Sequence, residues 1–223
     1  METTINDYIS QEQYLESERL ATEKHEYFEG AIYDRGPKSF IYNDLFKNTF
    51  GYLAIGLQRK KCQPYGSDLR LHIPKNTLYT YPSISIYCDK IDTTDNNFDT
   101  ATNPIVLFEI TSNTSQLSEK IDKFDLYRDI VSLKEYIMIN SEKIQVLKHV
   151  RNDDNSWLMT VYESLDDIFS IQSIAVELKL SDIYFDVKFK NSKNQSIVES
   201  LYHDDLFYFL NLMTFQQTFL HSQ

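Results

Sequence analysis

One short run in this sequence is almost entirely apolar and yet carries a carboxylate. Residues 105–111 read Ile-Val-Leu-Phe-Glu-Ile-Thr, which predicts a strand covered on both faces. Burying the Glu109 carboxylate in such a strand costs several kcal/mol unless a cation, a metal ion or hydrogen-bond donors meet it. Glu109 therefore requires a partner. The run alone leaves two alternatives open, an acceptor for a backbone or tyrosine donor and a metal ligand.

Length and charge limit the class of protein. A chain of 223 residues with 42% hydrophobic side chains is long enough to bury one substantial core, so one main domain is expected. The 33 acidic and 22 basic residues give a net charge of -11. Such a charge repels a phosphate backbone unless the basic residues gather on one face, and it argues mildly against nucleic acid as a partner.

The cysteines and the N-terminus favour a cytoplasmic protein. Cys62 and Cys88 lie in no CxxC or Cys/His cluster, and they are interpreted as buried or free thiols. The first twenty residues are acidic and lack the apolar run of a signal peptide. Asn211 interrupts the longest apolar stretch, residues 206–213, well short of the length that spans a bilayer. The sequence therefore predicts no membrane segment.

Hydrophobic periodicity predicts alternating helices and strands over most of the chain. A capping box formed by Ser10 and Gln13 marks the start of a first helix. The further predictions, in chain order, are a hairpin over 25–35, a helix over 42–57, strands over 64–74, 79–87 and 105–111, a helix over 118–130, and strands over 135–140, 144–150 and 157–163. Together they indicate an α/β domain (α+β) with a mixed sheet. Its predicted extent is residues 1–190, followed by a helical C-terminal extension over 191–223.

Six ordered segments resemble the Uma2 family of PD-(D/E)xK nuclease-like proteins. The similarity spans about residues 14–187. The segments are Lys-His-Glu-Tyr-Phe-Glu-Gly-Ala-Ile-Tyr at 24–33, Ser-Asp-Leu-Arg at 67–70, Tyr-Thr-Tyr-Pro-Ser at 79–83, Pro-Ile-Val-Leu-Phe-Glu-Ile at 104–110, Lys-Ile-Asp-Lys-Phe-Asp-Leu-Tyr at 120–127 and Leu-Lys-Glu-Tyr-Ile at 133–137. The resemblance implies a restriction-endonuclease-like fold, in which helices flank a central mixed β-sheet.

The same resemblance implies a metal-dependent site for cutting DNA. In this superfamily an aspartate and a glutamate hold Mg²⁺ or Mn²⁺ beside the scissile phosphate, while a lysine stabilises charge. By resemblance Glu109 is the strand glutamate and Lys123 is a helical lysine that replaces the lysine normally found at the position of Thr111. Glu26 matches an early family glutamate that reaches the metal through water. Asp68 matches another family acid and is a candidate metal ligand.

Two departures from the family pattern make the predicted metal site incomplete. The family's Pro-Asp reads Pro82-Ser83 here, and a neutral hydroxyl is a poor Mg²⁺ ligand compared with a carboxylate. A histidine usual early in the second helix is also absent from residues 38–43. Two functions therefore remain open. One is a Mg²⁺-dependent DNA endonuclease with a degraded site, and the other is an inactive nuclease fold that binds DNA or protein.

The resemblance makes a geometric prediction about Lys123. If the fold is kept, Glu109 and Ser83 lie on adjacent strands and Lys123 reaches the same cleft. The alternative is a solvated lysine paired with Glu119, four residues earlier on a helix.

The C-terminal segment raises a separate expectation about assembly. Residues 196–219 carry many large apolar side chains and are predicted to form a helix. These side chains need cover, either on the chain's own core or on a second copy. A homodimer is the favoured alternative because homo-oligomers usually close through a self-complementary patch.

Overall fold

A computed structural model describes residues 8–95, 99–111 and 122–189. The helices of these residues are α1 (Gln11–Leu20), α2 (Phe40–Gly56), α3 (Lys123–Tyr127) and α4 (Leu180–Ile183), with a 3₁₀ turn at Gln172–Ile174. The strands are β1 (His25–Phe28), β2 (Ala31–Asp34), β3 (Cys62–Gly66), β4 (Arg70–Ile73), β5 (Leu78–Thr80), β6 (Ile84–Cys88), β7 (Thr100–Ala101), β8 (Val106–Thr111), β9 (Glu135–Asn140), β10 (Val146–Arg151), β11 (Trp157–Tyr162), β12 (Ile168–Ile171) and β13 (Val176–Lys179).

The strands of the described residues form three sheets. A six-stranded sheet has the order β11-β10-β9-β8-β6-β3, and in it only the central β8–β9 pair is parallel. A five-stranded sheet has the order β2-β1-β5-β4-β7, and β12 pairs with β13. The predicted mixed sheet with flanking helices is therefore confirmed.

A cluster of buried side chains connects the two larger sheets. The five-stranded sheet contributes apolar residues of β4 and β5, the six-stranded sheet contributes Leu107 and Tyr136, and α3 contributes Tyr127. Tyr127 and Leu107 are completely buried. Because α3 packs in this cluster, its first turn is held close to the strands that carry Glu109.

Local sequence signals explain the N-terminal elements. The Ser10 side chain accepts from the Gln13 amide, and the Gln13 side chain accepts from the Ser10 amide, so the predicted capping box starts α1. Glu29 and Gly30 form the turn between β1 and β2 with φ values of 47° and 85°. Two successive positive φ values suit the right-handed twist of a two-residue hairpin. This turn places Glu26 on a strand paired on both sides.

Two strand predictions are wrong in that each predicted strand is two strands in the structure. In both cases the chain passes from one sheet to the other. The strand over 64–74 is interrupted at Ser67, Asp68 and Leu69, so β3 joins the six-stranded sheet and β4 joins the five-stranded one. The strand over 79–87 is likewise split at residues 81–83 into β5 and β6. Apolar alternation continues across both breaks and therefore gives no sign of them.

The interpretation of the cysteines as free thiols is also wrong. Cys62 and Cys88 lie opposite each other in the β3–β6 register and form a disulfide. They are 26 residues apart in the sequence. Only the antiparallel register brings them together, so spacing alone could not indicate the bond.

Part of the predicted organisation lies outside the described residues. The extension over 191–223, its helix over 196–219 and the first residues of the helix predicted over 118–130 fall there. Within the described ranges, no helix combines the length and the apolar character needed to cross a membrane.

Candidate functional site

Glu109 lies near the end of β8 and is met by hydrogen-bond donors on both carboxylate oxygens. The Tyr127 hydroxyl donates to Oε1 at 2.6 Å. The Ser83 hydroxyl and backbone amide donate to Oε2 at 3.2 and 3.3 Å. Burial and the nearby Glu109 charge raise the pKa of Tyr127, which keeps the phenol protonated as a donor. The structure therefore gives Glu109 the tyrosine and backbone donors of the first alternative.

Ser83 uses the full hydrogen-bonding capacity of its hydroxyl. It lies directly before β6, next to β8, and donates to Glu109. The same oxygen accepts from the Ile110 amide at 3.0 Å and from the Tyr42 hydroxyl at 3.1 Å. A hydroxyl has one donor and two acceptor positions, so all three are occupied.

Lys123 lies at the start of α3 and pairs with two carboxylates. Its ammonium is 2.6 Å from Oε1 of Glu26 and 3.9 Å from Oε1 of Glu109. The side chain is only 13% exposed, so the alternative of a solvated surface lysine is wrong. The prediction that Ser83, Glu109 and Lys123 come together is confirmed as geometry. Their chemical roles stay predictions.

Glu26 is fully buried on β1, and its neighbours favour the ionised form of its carboxyl group. The Thr80 hydroxyl donates to Oε1 at 2.5 Å, and the Arg35 Nε atom lies 3.9 Å from the same oxygen. Burial opposes ionisation, but Lys123, Thr80 and Arg35 together hold the pKa of Glu26 below its usual value. Together Glu26, Ser83, Glu109, Lys123 and Tyr127 form what we call the Glu109 cluster.

Two further cations, Arg35 and Lys38, lie near this cluster and are not among the residues predicted from the sequence. Arg35 donates to the Tyr81 carbonyl at 2.7 Å. The Lys38 ammonium lies 4.4 Å from the centre of the Tyr42 ring. Burial, Arg35 and Lys123 lower the pKa of Lys38 to about 8, although Glu109 and Glu26 act against the shift. Lys38 follows Pro37 in a segment without a sequence motif of its own, and its burial is set by the tertiary fold.

Asp68 is placed differently from the candidate ligand that the resemblance implies. It lies in the turn between β3 and β4 with its side chain 96% exposed. Its carboxylate pairs with the ammonium of Lys24. Among the described contacts, none joins Asp68 to Glu109, so a shared metal site for these two acids gains no support from the structure.

The described residues offer a poor set of ligands for a divalent cation. Mg²⁺ prefers hard oxygen ligands and usually takes one or two carboxylates. No group of three or more His, Cys, Asp or Glu residues suited to a metal occurs in residues 8–95, 99–111 and 122–189. The Ser83 hydroxyl has no lone pair left, and Glu26 is buried against Lys123. Glu109 alone remains, and its oxygens already accept from Tyr127 and Ser83.

A large surface groove of the described fold lies away from this cluster. It has a volume of about 1240 Å³ and lies at the opposite ends of β8 and β9, where Ile105 and Glu135 line it. Five basic and five acidic side chains line this groove in all, and none belongs to the Glu109 cluster. Its balanced charge favours no particular ligand, so the convergent polar groups of the cluster are the better candidate site.

Comparisons with known proteins agree with this fold. The chain is 30% identical over 176 residues to "Uncharacterized protein slr1290" of Synechocystis sp. (strain ATCC 27184 / PCC 6803 / Kazusa), covering 79% of this chain and 91% of that protein. It is 31% identical over 148 residues to "Uncharacterized protein sll1609" of the same organism, covering 66% and 84%. A crystal structure described as "a putative nuclease belonging to DUF820" from Anabaena variabilis ATCC 29413 matches with a TM-score of 0.59 and 15% identity. That match covers 79% of this chain and 97% of the other, and it establishes similarity of fold.

A family model gives the family itself. Residues 11–182 match the model of Uma2, which is described as "Putative restriction endonuclease". These residues include every member of the Glu109 cluster and make up well over half of the sequence. The chain therefore belongs to the Uma2 family.

Proposed function

We propose that this protein binds nucleic acid beside the Glu109 cluster and does not cut it by the metal-dependent reaction that the family resemblance implies. The observation that carries this proposal is the state of Ser83. Its hydroxyl stands in place of a carboxylate and is fully engaged by Glu109, Tyr42 and Ile110. No metal-binding oxygen is left at that position.

Local charge supports a nucleic-acid partner despite the net charge of -11. Arg35, Lys38 and Lys123 surround two carboxylates, Glu26 and Glu109, which leaves one positive charge in excess. A local basic excess offsets the repulsion that the acidic chain as a whole exerts on phosphate. DNA is the substrate that the nuclease family suggests, and it is therefore the proposed ligand.

A second candidate function is a Mg²⁺- or Mn²⁺-dependent endonuclease with a degraded site. It is favoured by one distance, the 3.9 Å between the Lys123 ammonium and Glu109 Oε1, because this pair matches the family's lysine and glutamate. In this version Glu109 and Lys123 are the catalytic residues and Glu26 supports them.

A plasmid-nicking assay separates the two candidates. Supercoiled plasmid is incubated with the protein and Mg²⁺ or Mn²⁺, using the wild type and Glu109→Gln. We expect the same background nicking from both, since the proposed protein performs no reaction that needs the Glu109 charge. Glutamine keeps the size of the side chain and an acceptor for Tyr127, and circular dichroism checks that the variant is folded. Wild-type nicking that is lost in Glu109→Gln would establish the endonuclease instead.

The location and assembly expected from the sequence belong to this proposal. A cytoplasmic location is proposed, although the Cys62–Cys88 disulfide weighs against it because cytosolic thiols are kept reduced. A homodimer is proposed from the apolar side chains of residues 196–219.

Light scattering tests the proposed dimer. The full chain is expected to have twice the mass of a monomer, whereas a chain ending at Asn191 is expected to be monomeric because it lacks the apolar segment. A monomeric full-length protein would refute the dimer and favour folding of the segment onto its own domain.

A further inference from the structure

We propose that the Lys38 ammonium, together with the Arg35 guanidinium, forms a metal-independent binding site for a phosphate group beside Glu109. This inference rests on the proposed function, because it names the side chains that hold the phosphate of the nucleic acid. The same site is proposed to bind free phosphate, since inorganic phosphate and a nucleic-acid phosphodiester present the same anionic oxygens.

Lys123, Arg35 and Lys38 differ in how fully ion pairs and hydrogen bonds occupy their charged groups. The Lys123 ammonium is held by Glu26 at 2.6 Å. The Arg35 guanidinium donates to the Tyr81 carbonyl, and its Nε atom faces Glu26 at 3.9 Å. Both carboxylates of the cluster are thus already shared among Lys123, Arg35 and hydrogen-bond donors. The charge that is left over belongs to Lys38.

Lys38 has no ion pair among the described residues. Its described contact is with the face of the Tyr42 ring, at 4.4 Å. The ring face attracts one side of the ammonium, and no hydrogen bond from a described residue engages the rest of it. Tyr42 donates to Ser83 at 3.1 Å, so the ring and the ammonium above it are fixed relative to the cluster.

The surroundings of Lys38 favour an added anion. The side chain is partly buried, and Arg35 and Lys123 both repel its charge. These effects disfavour the ammonium form unless a negative group enters. An anion at this place would relieve the repulsion among Lys38, Arg35 and Lys123 together. Glu109 and Glu26 attract Lys38, but their oxygens are already held by Tyr127, Ser83, Thr80 and Lys123.

Phosphate is the anion that suits this pair of cations. Lysine binds phosphate as a compact point charge, and arginine offers a planar fork of N–H donors. Arg35 has five N–H donors, of which the Nη2 group is directed to Tyr81. A phosphodiester stays anionic throughout the pH range in which proteins fold. The neutral Ser83 adds no further negative charge to repel it.

The test compares Lys38→Gln with Lys47→Gln under metal-free conditions. Lys47 lies on the same helix, is 66% exposed and pairs with Asp44, so its variant makes the same change of charge away from the cluster. Binding of a fluorescein-labelled DNA duplex is measured by anisotropy in EDTA at low salt, and inorganic phosphate is titrated by calorimetry. We expect Lys38→Gln to weaken both by about tenfold, whereas Lys47→Gln changes neither by more than about twofold.

A pH series adds a result that a merely structural role for Lys38 would not produce. The charged groups that face Lys38 are Arg35, Lys123, Glu109 and Glu26, and its pKa is about 8 in the free protein. The phosphodiester of the duplex binds the protonated form better, so the contribution of Lys38 to duplex affinity is full below this value and is lost as pH rises through it. Lys38→Arg stays charged, and we expect it to bind with little dependence on pH.

The outcomes separate this inference from the proposed function. If the duplex binds and Lys38→Gln behaves like Lys47→Gln, the Lys38 site is wrong while nucleic-acid binding stands. If inorganic phosphate binds through Lys38 but the duplex does not bind, the site stands and the proposed function is wrong. If neither probe binds the wild type, both are overturned.

Discussion

We expect Lys123→Met to lower the free energy of unfolding by about 3 kcal/mol relative to the wild type near neutral pH. Lys123 is the closest cation to Glu26, which is fully buried. Breaking a buried ion pair by removing one partner costs about 3–5 kcal/mol, because the other charge stays buried without compensation. The lower value applies here since Thr80 and Arg35 remain next to Glu26.

The cost of this substitution depends on pH in a defined direction. In the wild type the pKa of Glu26 is lowered from its usual value of 4.5, so the pair stabilises the fold above that pH. This stability is lost as pH falls through the lowered pKa. In Lys123→Met burial is no longer offset by the ammonium, so the pKa of Glu26 rises and less stability is left to lose on acidification. The difference between the two proteins is therefore largest near neutral pH and disappears in acid.

Urea unfolding followed by circular dichroism measures both effects. Lys47→Met serves as the control, because this exposed lysine should change stability by less than about 0.5 kcal/mol. The double variant Lys123→Met/Glu26→Gln should recover part of the loss, since the unpaired charge is then removed. Equal stability of Lys123→Met and the wild type at neutral pH would show that the ion pair does not hold the fold.

The Ser83→Asp variant is expected to gain a divalent-cation site that the wild type lacks. Tyr42 and the Ile110 amide both donate to the present hydroxyl, and a carboxylate accepts the same two hydrogen bonds. A second carboxylate would then face Glu109 and repel it until a cation enters. In the folded protein Mn²⁺ at a hundred times its dissociation constant adds about 2.7 kcal/mol of stability.

Thermal melting with and without Mn²⁺ measures this gain. Ser83→Asn is the matched control, because it has the shape of aspartate without the charge. We expect Mn²⁺ to raise the melting temperature of Ser83→Asp alone, and electron paramagnetic resonance should show bound Mn²⁺ in that variant. A wild-type response of the same size would mean that the described ligands suffice for a metal.

The sequence predicts several of the strands that stay within one sheet. Residues 135–140 were predicted as a strand, and β9 occupies the same residues. The predictions failed where β3 passes into β4 and where β5 passes into β6. Alternation reports which residues share a face, but it cannot report that the chain has left one sheet for another. All four residues of β4 are buried, which an alternating strand with one solvated face would not show.

The candidate site was partly predictable for a physical reason. A carboxylate inside an apolar strand needs hydrogen-bond donors, so the free-energy cost of burying it predicts a partner for Glu109. The resemblance implies that Lys123 reaches the cleft of Glu109, and its ammonium lies 3.9 Å from Glu109 Oε1. Lys38 and Arg35 could not be found in this way, because lysine and arginine are common on surfaces and their burial depends on how β2 leads into α2.

The contact between Glu26 and Lys123 joins residues that are 97 positions apart. Contacts of such long range form slowly, because the chain loses the entropy of closing a long loop before the contact can stabilise it. During synthesis the β1–β2 hairpin emerges well before Lys123 leaves the ribosome, and in that interval Glu26 has no ammonium to pair with. The five-stranded sheet therefore cannot bury this carboxylate at low cost until α3 has been made. We therefore expect this sheet to close over Glu26 only after α3 has been made.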